Sequence, residues 1–127
     1  MNNADNSIIK NYIHDVGQDI YCDLIIPKKI LVEMIYESET VIAFIHTNPL
    51  YQYHFIVTPK IHVEDIMDKI FDGVRDEIFS AIQKIITRFD YQNIGAKIET
   101  NVGSFQKSKH LHFHVFGGKK LKIDPNI

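Results

Sequence analysis

Residues 110–116 read His-Leu-His-Phe-His-Val-Phe, with imidazoles and apolar side chains in strict alternation. In an extended strand successive side chains face opposite ways, so the three rings would share one side at spacings of roughly 6 to 7 Å, with Leu111, Phe113 and Val115 turned to a core. A neutral imidazole offers a basic nitrogen near pH 7, and a hydrogen bond from its other nitrogen to a carbonyl selects the tautomer. Such a ring can attack phosphorus, while a neighbouring imidazolium, lysine or amide offsets the charge on the phosphoryl oxygens. The same alternation suits zinc, which takes imidazole nitrogens at about 2 Å in tetrahedral geometry. It also suits a half-exposed strand with three incidental histidines. Residues 107–122 hold five lysines, three histidines and no acidic group, a local cationic segment that an edge strand protected by lysine would also produce.

The elements that must position these rings are those of one compact domain. The chain has 127 residues, 45% apolar and 24% charged, enough for a single core without metal or disulfide staples. Its formal charge of −2 argues against wholesale binding to nucleic acid or to an anionic membrane. The longest apolar run, residues 41–45, is far below the roughly 18 that a membrane span needs. No basic-then-apolar leader opens the sequence, and Cys22 is alone, so a reducing, cytoplasmic setting is the expectation.

Ile8, Ile9, Tyr12, Ile13 and Val16 fit one face of a short leading helix capped by Ser7. An apolar stretch over 20–26 runs into Pro27, and strand-like runs follow at 31–36 and 40–45, joined by a polar turn at 37–39. Pro49 breaks the second run into a loop, after which 54–58 reads as another strand and 64–70 as a short helix. Val74, Ile78, Phe79, Ile82, Ile85, Ile86 and Phe89 trace one face at 3.6 residues per turn, the main helix, with Asp72 as its expected cap and Lys84 and Arg88 near its negative end. Strands at 96–100 and 110–116 close the pattern, the last ended by Gly117-Gly118. The expected fold is α+β: about five antiparallel strands, with a main and a shorter helix packed on one face.

The run at 110–116 resembles the His-φ-His-φ-His-φ-φ signature of the histidine triad family, closest to its Hint-like branch of nucleoside phosphoramidases and nucleotide hydrolases. The likeness extends through residues 19–118: Ala43-Phe44, Asn48-Pro49, the His54-Phe55-Ile56-Val57-Thr58-Pro59-Lys60 run, His62, Asn101, Gly103, Gln106 and Gly117-Gly118 follow the family's order. It implies an extension over 1–18, a domain over 19–118 and a tail over 119–127.

The resemblance implies attack on an α-phosphorus by His112, giving a nucleotidyl-histidine released to water or another acceptor. His110 would orient that nucleophile through its carbonyl, and His114 would contact the phosphate or the leaving group. His54 would stand near the same centre, with Asn101 and Gln106 binding phosphate oxygens or the leaving atom. Ile20, Tyr21, Leu24, Phe44 and Ile45 fit the family's nucleoside pocket, and core packing would use the same residues. Three departures stand out. His46 occupies a place where many relatives carry an acid that binds the ribose hydroxyls. The loop before the triad is short, with Lys107 and Ser108 where the family has a glycine-framed hydroxyl. Of the Cys-x-x-Cys pair that holds structural zinc in some relatives only Cys22 remains, leaving a mixed set of Asp19, Cys22, His62 and His110. The expected activity is cleavage of a nucleoside 5′-phosphoramidate, an acyl-nucleotide or a related phosphoanhydride, with no cofactor needed and a homodimer as the expected assembly. The alternatives are a nucleotide-binding module with little turnover and a zinc protein using the triad as ligands.

Overall fold

In a computed structural model, residues 19–121 are described; the leading helix expected before residue 18 lies outside them. A π-helical turn, Tyr21–Ile25, precedes β1 (Met34–Glu37), β2 (Val41–Ile45) and β3 (Tyr51–Pro59). A 3-10 turn, Lys69–Gly73, leads into α1 (Arg75–Arg88), followed by the short α2 (Tyr91–Ile94), β4 (Ala96–Glu99) and β5 (Phe113–Lys120). The strands form one antiparallel sheet in the order β1-β2-β3-β5-β4.

Register decides which side chains share a face. Phe44 pairs with Ile56, and Ile56 with His114, so these three lie on one side of the sheet. Ala43 pairs with Val57 and Val57 with Phe113 on the other side, where Ile78, Ala81, Ile82 and Ile85 of α1 complete the main core. The triad therefore stands on the face away from α1. That face is covered by the π-helical turn, whose Ile20, Tyr21 and Ile25 pack with Ile42, Phe44 and Ile56 in a second buried cluster. The α+β fold is the expected one, with the π-helical turn added on the face opposite α1.

Other local expectations also shift. The helix expected over 64–70 is replaced by a loop and the later 3-10 turn, because Asp65 and Asp68 bind the backbone locally: Met67 N donates to Asp65 Oδ1 at 2.8 Å, and Glu64 N and Ile70 N donate to the Asp68 carboxylate at 3.2 and 3.0 Å. Such bonds compete with the helical ladder. Asp72 does not cap α1. It lies within the 3-10 turn and sits 3.7 Å from Arg75, while Val74 holds the N-cap position without a side-chain bond.

The final strand runs through Gly117-Gly118 to Lys120 rather than stopping at the glycines. A Cβ on Gly117 would come within 2.7 Å of Phe89 Cε2, so the bare backbone admits the end of α1 against β5. Gly117→Ala is expected to cost about 1 to 3 kcal/mol through overpacking, read as a lower urea midpoint with unchanged slope.

Candidate active site

The triad begins before the β5 ladder does. Residues 110–112 make their bonds elsewhere: Leu111 N donates to Val63 O at 2.6 Å, Thr58 Oγ1 donates to Leu111 O at 2.7 Å and Thr100 Oγ1 donates to His112 O at 2.8 Å. Those two threonines, on β3 and just after β4, fix the carbonyls of the functional segment. Nothing in their spacing marks them in the sequence. Leu111, Phe113 and Val115 are buried on the α1 side, as the alternation requires, and this anchors the histidines on the other.

His112 is half-buried, and its Nδ1 donates to the His110 carbonyl at 2.8 Å. That bond places the proton on Nδ1 and leaves Nε2 as the basic nitrogen. Tyr21 lies over the ring, with centroids 5.0 Å apart and planes 30° from parallel. Burial pulls the His112 pKa down to about 4, and the nearby His110 charge acts in the same direction, against the raising effect of the carbonyl bond. The ring is a neutral base at physiological pH.

His110 departs from the expectation of three rings on one open face. It is fully buried, with Nε2 donating to Pro59 O at 2.9 Å and Nδ1 facing Asp19 Oδ2 at 2.9 Å and Cys22 Sγ at 3.4 Å. What it presents to His112 is its carbonyl. Asp19 also reaches the exposed His62, whose Nδ1 lies 2.5 Å from Oδ2. Burial alone would raise the Asp19 carboxyl, but its bonds to His110 and the Cys22 amide outweigh that and hold it well below the usual carboxylate range.

His114 and His54 meet edge to edge, His54 Nε2 to His114 Nδ1 at 2.9 Å. Leu50 N donates to His54 Nδ1 at 3.0 Å, so the His54 proton is on Nε2 and is given to His114. His114 must then carry its own proton on Nε2. Burial, followed by the charges of His112, His46 and His54, holds the His114 pKa well below its ordinary value. His46 stacks on His54 with centroids 4.2 Å apart and planes at 14°, and its Nδ1 accepts from Asn48 N at 2.9 Å. His112 and His114 stand 5.2 Å apart, centroid to centroid.

Two groups of side chains bring possible metal donors within 4.8 Å of one another: Asp19, Cys22, His62 and His110, and separately His46, His54 and His114. Tautomers separate them. A ligating histidine needs a lone pair on one nitrogen and donates from the other. His110 gives its Nε2 proton to Pro59, so a metal displacing the Nδ1 proton that bonds Asp19 would find a lone pair aimed at Asp19, Cys22 and His62. Together they offer an oxygen, a sulfur and two nitrogens, a set that fits zinc. His46 and His54 each accept an amide proton at Nδ1, which leaves Nε2 protonated and unsuited to a metal. Zinc held by the three triad rings is not supported either: His110 turns away from His112, and among the described residues these three do not form a donor group.

The remaining expected residues divide. Ile20, Tyr21 and Phe44 are buried in the second core cluster, Leu24 packs against it half-buried, and Ile45 is half-buried at the end of β2. Asn101 is half-buried after β4. Gln106 is buried, donating from Nε2 to Glu64 O at 2.6 Å, while its Oε1 and the buried Ser108 hydroxyl have no partner among the described residues. Lys107 faces solvent, and it is Lys109 that folds back to the loop, onto Gly103 O at 2.7 Å.

Known proteins are similar to this chain in sequence and in fold. An uncharacterized HIT-like protein of Rickettsia prowazekii is 39% identical over 102 residues, covering 76% of this chain and 85% of that protein. A histidine triad protein structure from Clostridium difficile superposes with a TM-score of 0.71 at 33% identity, over 87% of this chain and 98% of the other. A HIT family hydrolase from Clostridium thermocellum gives 0.70 at 25% identity, over 87% and 99%. The HIT domain family model matches residues 24–121, so with its triad on the face away from the main helix this chain belongs to the HIT family.

Proposed function

We propose that this chain is a nucleotide hydrolase or transferase of the Hint-like branch, cleaving a nucleoside 5′-phosphoramidate, an acyl-nucleotide or a related phosphoanhydride at the α-phosphorus. The observation that carries the reading is the 2.8 Å bond from His112 Nδ1 to the His110 carbonyl, which makes Nε2 the nucleophilic atom. Nε2 attacks phosphorus, a P–Nε2 bond forms and the bond to the leaving group breaks. The Nε2 proton of His114, set by His54 and Leu50, stabilises the leaving atom or the phosphoryl oxygens. Water then attacks the same phosphorus and the P–Nε2 bond breaks; the hydroxyl stays on the nucleoside monophosphate, the other proton of water replaces the one the leaving group takes up as it departs, and His112 returns to its neutral form with the proton on Nδ1.

Leu24 and Ile45 border the nucleoside, and Asn101, Gln106, Lys107 and Ser108 serve the phosphate side of the cleft. Zinc, when bound by Asp19, Cys22, His62 and His110, would cross-link the π-helical turn to the triad segment, a structural role away from the reacting atoms. The test is incubation with adenosine 5′-phosphoramidate and measurement of released adenosine monophosphate. Sustained turnover supports the enzyme; tight binding with no release favours a nucleotide-binding module.

The working unit is a homodimer in the cytoplasm. The short edge strand β4 leaves Ile98 48% exposed, and Phe105 nearby in sequence is 78% exposed, surfaces that a second copy would cover. No helix among the described residues is long and apolar enough to cross a membrane. Ile98→Lys is expected to convert the dimer to monomer, seen by light scattering as a halved mass; an unchanged mass places the contact elsewhere.

A further inference from the structure

The backbone that carries His112 lies beyond the ladders of β5. Pairing with β3 ends at Val57 and Phe113, and pairing with β4 ends at Glu99 and His114, so His112 stands just outside the strand. The next residue along each flank is a threonine. Thr58, fully buried, donates from Oγ1 to Leu111 O at 2.7 Å, and Thr100, half-buried, donates from Oγ1 to His112 O at 2.8 Å. Two hydroxyls thus take over where the ladder pairing has run out.

Those two carbonyls belong to the peptide planes on either side of the His112 Cα, the one joining 111 to 112 and the one joining 112 to 113. Turning either plane swings the ring. The plane before them, joining 110 to 111, is held at both ends: its N–H, on Leu111, donates to Val63 O at 2.6 Å, and its carbonyl, on His110, accepts from His112 Nδ1 at 2.8 Å. Threonine suits this work, because branching at Cβ restricts χ1 and so pre-sets the direction of the hydroxyl. A displacement of about 1 Å at a reacting atom costs on the order of a hundredfold in rate.

We propose that Thr58 and Thr100 are positioning residues for the displacement: by holding both peptides that meet at His112, their hydroxyls aim Nε2 at phosphorus and keep Nδ1 on the His110 carbonyl. This rests on the reading of His112 as the nucleophile and names the groups that aim it. The threonines act through the backbone, so loss of a hydroxyl slows bond formation without weakening nucleotide binding.

Valine keeps the shape of threonine and removes the donor. In Thr100→Val and Thr58→Val the single-turnover rate of adduct formation at residue 112 from adenosine 5′-phosphoramidate should fall by about ten- to hundredfold, while the calorimetric affinity for adenosine 5′-monophosphate moves by less than about threefold. Thr100→Ser and Thr58→Ser, which restore the hydroxyl, should return to within about threefold of the unaltered rate. Proton–nitrogen correlation NMR of the ring at pH 7 gives a second readout that needs no turnover. The unaltered chain should show His112 with its proton on Nδ1 alone, and the valine variants should show the Nε2–H form as well. If the buried Thr58→Val fails to fold, Thr100→Val, at a half-buried site, carries the test. Valine variants with rates within about twofold of the unaltered chain, serine variants as slow as the valine ones, or valine variants whose ring proton stays wholly on Nδ1 overturn the assignment. An unaltered chain that forms no adduct refutes the nucleophile instead, and the NMR comparison still decides whether the threonines hold the ring.

Discussion

His112→Asn is expected to lower kcat for a nucleoside 5′-phosphoramidate by about a thousandfold or more, with KM changed by less than about threefold. The asparagine amide can still donate toward the His110 carbonyl and fills much the same space beneath Tyr21, so binding and stability stay close to those of the unaltered chain. What is lost is the nitrogen lone pair that the proposed mechanism uses for the covalent bond, and groups that merely bind or polarise substrate cannot replace it. A split between kcat and KM of this kind distinguishes a nucleophile from a binding group. Steady-state kinetics on the purified variant, with circular dichroism as a check on folding, measures it. A loss confined to KM would return His112 to the role of a ligand contact.

The second large effect concerns acid. An unshifted histidine near 6.5 would be only about 3% neutral at pH 5, a loss of about thirtyfold in nucleophile. Burial under Tyr21 lowers His112 to about 4, so about nine-tenths of the ring is still neutral at pH 5. The acid limb of kcat/KM is therefore expected near pH 4 to 5, with activity at pH 5 within about twofold of that at pH 7. Stability moves the other way. The unfolded ring takes up its proton at about 6.5 and the folded ring only near 4, so between those values the unfolded state binds more protons and stability drops as the pH is lowered, by up to about 1.4 kcal/mol per unit for this one group. His114, also held low, adds to that slope. A rate profile breaking at 6.5 would mean that His112 is solvated in the working enzyme.

Much of this molecule is legible in its sequence because two periods are strong. Alternation along residues 110–116 places Leu111, Phe113 and Val115 in the core and His112 and His114 opposite, and the 3.6-residue spacing of Ile78, Ile82 and Ile85 gives α1. Where local polar groups compete, periodicity is silent. Asp65 and Asp68 bind their own backbone and prevent the helix that the composition of 64–70 suggests. His110 shares the period of His112 but not its surroundings: Asp19 and Cys22, nearly ninety residues earlier, draw its ring away from the cleft. Thr58 and Thr100 hold the triad carbonyls through bonds between distant segments, and nothing adjacent to them in the chain announces the partner. His46 reads as a simple departure from an acidic position; its stacking on His54 and its fixed tautomer exist only once β2 and β3 have paired.

The proposed mechanism turns on a bond between phosphorus and one nitrogen, His112 Nε2. Mixing the enzyme with adenosine 5′-phosphoramidate, quenching within a turnover without acid, and mapping peptides by mass spectrometry should find an adenylyl group on residue 112 alone, appearing and decaying at rates that match kcat. An adenylyl group on another residue, or steady turnover with no modified peptide at any time, would contradict it.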